Sequence, residues 1–231
     1  MYKNADKRRL SGWVPGARGT LFLALGASVL FSLGLVAFST WYTSKSYYLF
    51  LVWNLFLAFI PLLISSFIAQ RRTTLPLAVL GLLTVVWLLF FPNAPYILTD
   101  LFHLRERGNI PLWFDLIVLL SFAWNGLMMG FVSLWDMQTV LTERLGRWSA
   151  TAFVVLSLGL GSFGVYIGRY LRFNSWDVLA DPFSLSYHIG QRFLNPWAFK
   201  GAWAMTLTFT IFLTLAYLTL TQLARLTHRP D

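Results

Sequence analysis

Cysteine is absent from the 231 residues. That excludes disulfides, thiolate metal centres and cysteine nucleophiles. Charge is also scarce. Asp, Glu, Lys and Arg make up 12% of the chain, against about 25% in a soluble domain. So few charges cannot build a water-facing surface, so lipid must cover much of it. Acidic residues are the rarer sign, 9 against 18 Lys and Arg. In a soluble protein a net charge of +9 and a pI of about 10.2 would point to nucleic acid. No basic stripe interleaved with aromatics lies outside the apolar segments, however, and nucleic acid is not expected as a partner. The chain has no Gly-x-Ser-x-Gly motif, and its last residues, Leu226–Asp231, carry no lipidation signal.

What the sequence has instead is long apolar runs: 57% of residues are hydrophobic and 18% aromatic. Six windows have the roughly 17–25 residues that a membrane-spanning helix needs. They are Thr20–Trp41, Tyr48–Ala69, Leu75–Phe91, Leu112–Met137, Ser149–Leu171 and Ala198–Leu223. The expected fold is an all-α integral membrane bundle of six transmembrane helices, with a short amphipathic interfacial helix after the third. Residues 1–19 form a basic segment, 20–223 the spans and 224–231 a tail. Lys3, Lys7, Arg8, Arg9 and Arg18 precede the first span. No small-x-small cleavage site follows them, so a retained signal-anchor is expected. With the N-terminus inside, Arg71, Arg72, Arg144, Arg147, Arg225 and Arg229 join that basic side, and Lys45, Arg105, Arg107, Arg169, Arg172, Arg192 and Lys200 lie opposite. The bias puts both termini in the cytoplasm. Trp41, Trp53, Trp113, Trp176, Trp197 and Trp203 fall near the outer boundary, where indole favours the interface.

The polar residues gather in two stretches. Phe90–Leu104 breaks an apolar run with Pro92 and Pro95, and then sets Tyr96, Asp100, His103 and Arg107 at spacings of four, three and four. In an α-helix those four share one face. The face turns either toward water or inward over the bundle. The second stretch holds Tyr166, Arg169 and Arg172, three apart at the end of the fifth span, then Asn174 and Asp177. Arginine there either snorkels, pairs with Asp100, Asp115 or Asp177, or holds an anion such as phosphate in its guanidinium fork.

Asp115 opens the fourth span, where an unpaired carboxylate would be costly. Asn54 and Asn125 lie deeper and read as interhelical glue. Asp100 and His103 with Asp115 and Asp177 would suit a divalent ion, but Asp-x-x-His is common by chance and no metal site is assigned. Gly159–Gly164 spells the dinucleotide fingerprint inside a membrane span, with no preceding strand. Helix packing is the better reading there. Gly126 with Gly130, and Gly164 with Gly168, form small-xxx-small pairs that would let the fourth and fifth spans approach.

Trp53-Asn54 with Pro61, the Phe90–Leu104 stretch and Gly164–Asp177 together resemble an uncharacterised family of polytopic bacterial membrane proteins, domain of unknown function 1361. The resemblance covers roughly Leu49 to Pro182 and implies a bacterial inner-membrane location. It supplies no catalytic residues, cofactor or oligomeric state. The expected function is an outward-facing polar site, formed by Tyr96, Asp100, His103, Asp115, Tyr166, Arg169, Arg172 and Asp177, that binds an anionic group such as a lipid head group. The alternatives are a membrane-embedded enzyme acting on a lipid or lipid-linked substrate, with Asp100 and His103 as acid and base, and a small-solute transporter with polar residues continuing inward.

Overall fold

The computed structural model describes residues 17–105 and 110–226, and these are helical with no strand. Arg107, the start of the basic N-terminal segment and the end of the C-terminal tail lie outside the described residues. Six helices among the described residues are long and apolar enough to cross a membrane. The chain divides into two compact units, Met1–Thr151 and Ala152–Asp231.

The first unit contains α1 (Ala17–Thr43), α2 (Leu49–Gln70), α3 (Leu77–Phe90), a single turn α4 (Asn93–Tyr96), a 3-10 turn (Ile97–His103) and α5 (Leu112–Leu145). The long helix α5 is its centre. Buried positions fill 61% of its apolar window, against 17% for α1. Tyr48, Leu51, Leu55 and Ala58 meet Val118, Leu119, Phe122 and Ala123 in the core. The outer faces of α1 to α3 leave Leu23, Leu30, Leu63 and Leu82 exposed, as a lipid-facing surface requires. An apolar cavity of about 460 Å³ is lined by Phe22, Gly26, Phe56 and Met129 among others. Arg144 holds the α2–α3 loop through Nε to the Arg72 carbonyl (2.7 Å) and Nη2 to that of Leu75 (3.0 Å). Gly146 ends α5 at a φ of 88°, a conformation glycine adopts without steric cost.

The third span departs from a plain helix followed by an interfacial one. Pro92 and Pro95 have no N–H to continue the ladder. The Ala94 N–H serves the Phe91 carbonyl at 3.1 Å, and the Asn93 side chain serves that of Phe90 at 2.9 Å. The chain then tightens to three residues per turn. Ile97, Asp100 and His103 therefore stack in one row, and the four-residue alignment of Tyr96 with Asp100 is lost. Ala94, Pro95, Ile97, Thr99 and Asp100 are buried. The segment packs against α2 and α5, and Asp100 turns inward.

The second unit holds most of α6 (Arg147–Tyr166), a π turn (Ile167–Leu171), a single turn α7 (Asp177–Ala180), α8 (Pro182–Leu194) and α9 (Lys200–Leu226). Asp181 caps α8, accepting from the Ser184 N–H at 3.2 Å, with Pro182 in the first turn. Phe163, Phe193 and Trp203 join α6, α8 and α9 in one aromatic cluster, with ring centroids 5.0–5.7 Å apart.

Candidate functional site

In the first unit the glycines of α5 let the proline-broken segment come close. A Cβ on Gly126 would stand 2.7 Å from Ile97 Cδ1 and 2.9 Å from the Ala94 carbonyl oxygen, and one on Gly130 would be 2.8 Å from Ala94 Cβ. This pair therefore packs against the Asn93–Ile97 turn. That contact sets the depth of Asp100, which is 1% exposed. Asn54 of α2 donates to Asp100 Oδ2 at 2.8 Å. His103 Nδ1 lies 3.2 Å from the Asp100 carbonyl oxygen and 3.9 Å from Oδ1. Its ring packs on Phe50 at 5.0 Å, and its side chain is 45% exposed.

Asp115, also 1% exposed, sits in the first turn of α5, where the helix dipole favours a carboxylate. It accepts from the buried Tyr48 hydroxyl and, at 3.2 Å, from the Arg105 backbone N–H. Tyr96 is half-buried at the end of α4. This constellation is acidic, and each carboxylate is held by donors of the same unit.

A second buried carboxylate environment lies 21 residues further along α5, roughly 32 Å at helical rise. Asp136 accepts from Arg18 Nη2 at 2.7 Å and from Ser65 at 3.4 Å, and the same Arg18 nitrogen reaches Ser66 at 3.1 Å. Between the two carboxylates Asn125 ties α5 to α1 through the Ser28 carbonyl (3.2 Å) and the Ser32 hydroxyl (2.9 Å).

In the second unit the π turn changes the geometry expected for Tyr166, Arg169 and Arg172. The extra residue in that turn and the left-handed conformation of Arg172 (φ 61°, ψ 27°) break the regular three-residue row. Arg169 is half-buried within the turn, and Arg172 is exposed just past it. Arg172 has no hydrogen-bond or ion-pair partner among the described residues. Asp177 is committed to its own turn, accepting from the Asn174 N–H at 2.6 Å. Gly164 lies near the end of α6 and Gly168 within the π turn.

Arg192, which the sequence offers only as one more loop charge, is 6% exposed. Its Nε donates to the Tyr166 hydroxyl at 3.3 Å and its Nη1 to the His188 carbonyl at 2.7 Å. The guanidinium lies 4.6 Å from the Phe199 ring centroid and 5.7 Å from that of Tyr166. No acidic side chain reaches it among the described residues. Burying an ion costs several kcal/mol. Each ring face returns about 0.5–2 kcal/mol and each hydrogen bond to a charged group about 1.5–3 kcal/mol, but none of these supplies negative charge. The available signal was helical phase. Arg192 falls seven residues after Leu185, and both are buried on α8, whereas Phe183 and Tyr187 are 88% and 63% exposed. The basic residue faces in and the aromatics face out.

The fold and its buried polar groups define a multi-pass helical membrane protein. The model for the protein family of unknown function DUF1361 matches residues 53–218, and the chain belongs to that family. The match runs beyond Pro182 through most of the last span, further than the motif resemblance reached. No curated protein and no solved structure matches the chain.

Proposed function

We propose that this protein binds an anionic group, such as a lipid head group, through Arg172 and Arg169 on the outward-facing side of a bacterial inner membrane, with both termini in the cytoplasm. The observation that carries this reading is Arg172. An arginine in the left-handed region costs about 1–2 kcal/mol relative to ordinary backbone, and such outliers cluster at binding sites. Glycine would take that conformation freely. Here the strained residue is an exposed cation without an acidic partner among the described residues, one step beyond a π turn, a feature frequent at functional sites. The exposed Leu179, Phe183, Tyr187, Leu194 and Trp197 of the same unit support a lipid as the source of the anion, because such apolar rows bury into the head-group region. The distribution of Lys and Arg supports the orientation.

The test is to identify phospholipids co-purifying with the wild type and with Arg172→Gly. The expected outcome is an anionic phospholipid enriched on the wild type and lost from a variant that remains folded. Equal retention by both proteins would refute the reading.

One observation favours a second reading, a lipid-directed enzyme. Asp100 is buried and fixed by Asn54, and beside it stands a half-exposed imidazole. Nδ1 lies 3.2 Å from the Asp100 carbonyl oxygen and 3.9 Å from its carboxylate, which sets side by side the two residue types that acid–base chemistry uses. Turnover of a labelled anionic phospholipid in vesicles should then be lost in His103→Gln. Turnover that survives this change, or its absence in the wild type, would remove this reading.

A further inference from the structure

We propose that Arg192 is a second anion-binding residue, a buried hook for a phosphate group that enters beside the π turn. This deepens the reading of Arg172 as an anion ligand and rests on it for the ligand class. Three observations within the second unit meet at this point. The Arg192 guanidinium is buried, yet no acidic side chain reaches it among the described residues. Two of its nitrogens are fixed by Tyr166 and by the His188 carbonyl, while Nη2 makes no hydrogen bond among the described residues and is left to donate. Its Trp203-bound backbone carbonyl (3.1 Å) and the aromatic cluster around Phe163 hold α8 in place.

A guanidinium cannot lose its charge by deprotonation. The lysine route of neutralising on burial is therefore closed, and since no acidic side chain among the described residues supplies negative charge, an external anion is the source proposed. The planar fork suits phosphate oxygens. A short chain of contacts links Arg192 to the neighbour of Arg172. The Phe173 ring, next to Arg172, packs at 5.7 Å on the His188 ring, and His188 is the residue whose carbonyl holds Nη1. Two cations thus approach the end of the span, one strained and exposed, the other buried and preorganised. The shared chemistry is a phosphate, either the phosphodiester of a lipid head group or free phosphate.

Thermal unfolding of the detergent-solubilised full chain tests this. Wild type, Arg192→Gln, Tyr166→Phe and Arg172→Gly would be titrated separately with inorganic phosphate, phosphatidylglycerol and phosphatidylcholine. The wild type should be stabilised by phosphate or phosphatidylglycerol and not by phosphatidylcholine. Stabilisation by phosphatidylglycerol alone identifies a head group, and stabilisation by inorganic phosphate identifies the free anion. Arg192→Gln should weaken the apparent affinity about tenfold or more. Tyr166→Phe keeps the charge and frees Nε from its anchor, and should weaken it a few-fold, which preserves the test if Arg192→Gln does not fold. If Arg192→Gln and Tyr166→Phe bind as the wild type does while Arg172→Gly is impaired, the Arg192 assignment is wrong and the Arg172 reading stands. If only the Arg192 and Tyr166 variants are impaired, Arg172 is not a ligand. If no titrant stabilises the wild type, both are wrong.

Discussion

At the residue scale, two arginines stand in opposite environments. Arg172 is exposed and strained, so its replacement by glycine should leave stability unchanged or raise it by up to ~1 kcal/mol, since glycine's own entropy cost of roughly 0.5–1 kcal/mol offsets part of the relieved strain. Thermal unfolding without added lipid checks this, and a clear loss of stability would mean that the side chain is structural. Arg18 is the contrast, being a paired arginine. Its side chain is 28% exposed while that of Asp136 is 2% exposed. Arg18→Ala would strand a buried carboxylate and should cost about 3–5 kcal/mol. Asp136→Asn leaves a cation that can reach water, and should cost clearly less. Denaturation in mixed micelles would rank the two, and equal losses would show that Asp136 is not stranded when Arg18 is removed. Asp136 lies inside the fourth apolar run of the sequence, Leu112–Met137. Its partner is not legible there, because Arg18 lies 118 residues away, just before the first apolar run.

At the element scale, the close packing of the proline-broken segment on α5 should make the α5 glycines unequal to those elsewhere. At Gly126 a methyl group meets a backbone carbonyl at 2.9 Å. Gly126→Ala should therefore destabilise by about 1–3 kcal/mol, as overpacking does. Gly26 lies mid-helix with nothing within 4 Å of its missing Cβ, so Gly26→Ala should be neutral or stabilising by up to ~1 kcal/mol. Thermal unfolding of the two variants side by side decides the matter, and similar effects would argue against the close contact. The small-xxx-small spacing of Gly126 and Gly130 was legible in sequence; its neighbour was not. The pattern states that something approaches and does not say which element. The spans themselves were legible because apolar length alone identifies them. The 3-10 and π turns were not, since a single added or removed residue per turn leaves no mark in composition or hydropathy. Both turns fall where the chemistry-bearing residues are, and they decide that Asp100 points inward and that Arg172 leaves the row of Arg169.

At the scale of the whole molecule, the proposed orientation, with both termini in the cytoplasm, is testable without background because the sequence has no cysteine. Ser46 lies between α1 and α2 and Thr73 between α2 and α3, both exposed. In intact cells Ser46→Cys should react with an impermeant maleimide, and Thr73→Cys should react only after permeabilisation. The reverse pattern would invert the assigned orientation and place the arginine site on the cytoplasmic face. The family match covers residues 53–218, which includes both the acidic constellation around Asp100 and Asp115 and the arginines of the second unit. The central claim is that those arginines hold an anionic group. Native mass spectrometry of the gently purified full chain tests it most directly, with the wild type beside an Arg172→Gly, Arg192→Gln double variant. The expected result is a bound anionic phospholipid or phosphate on the wild type and a bare double variant of unchanged fold. An identical set of bound species on the two proteins would contradict it.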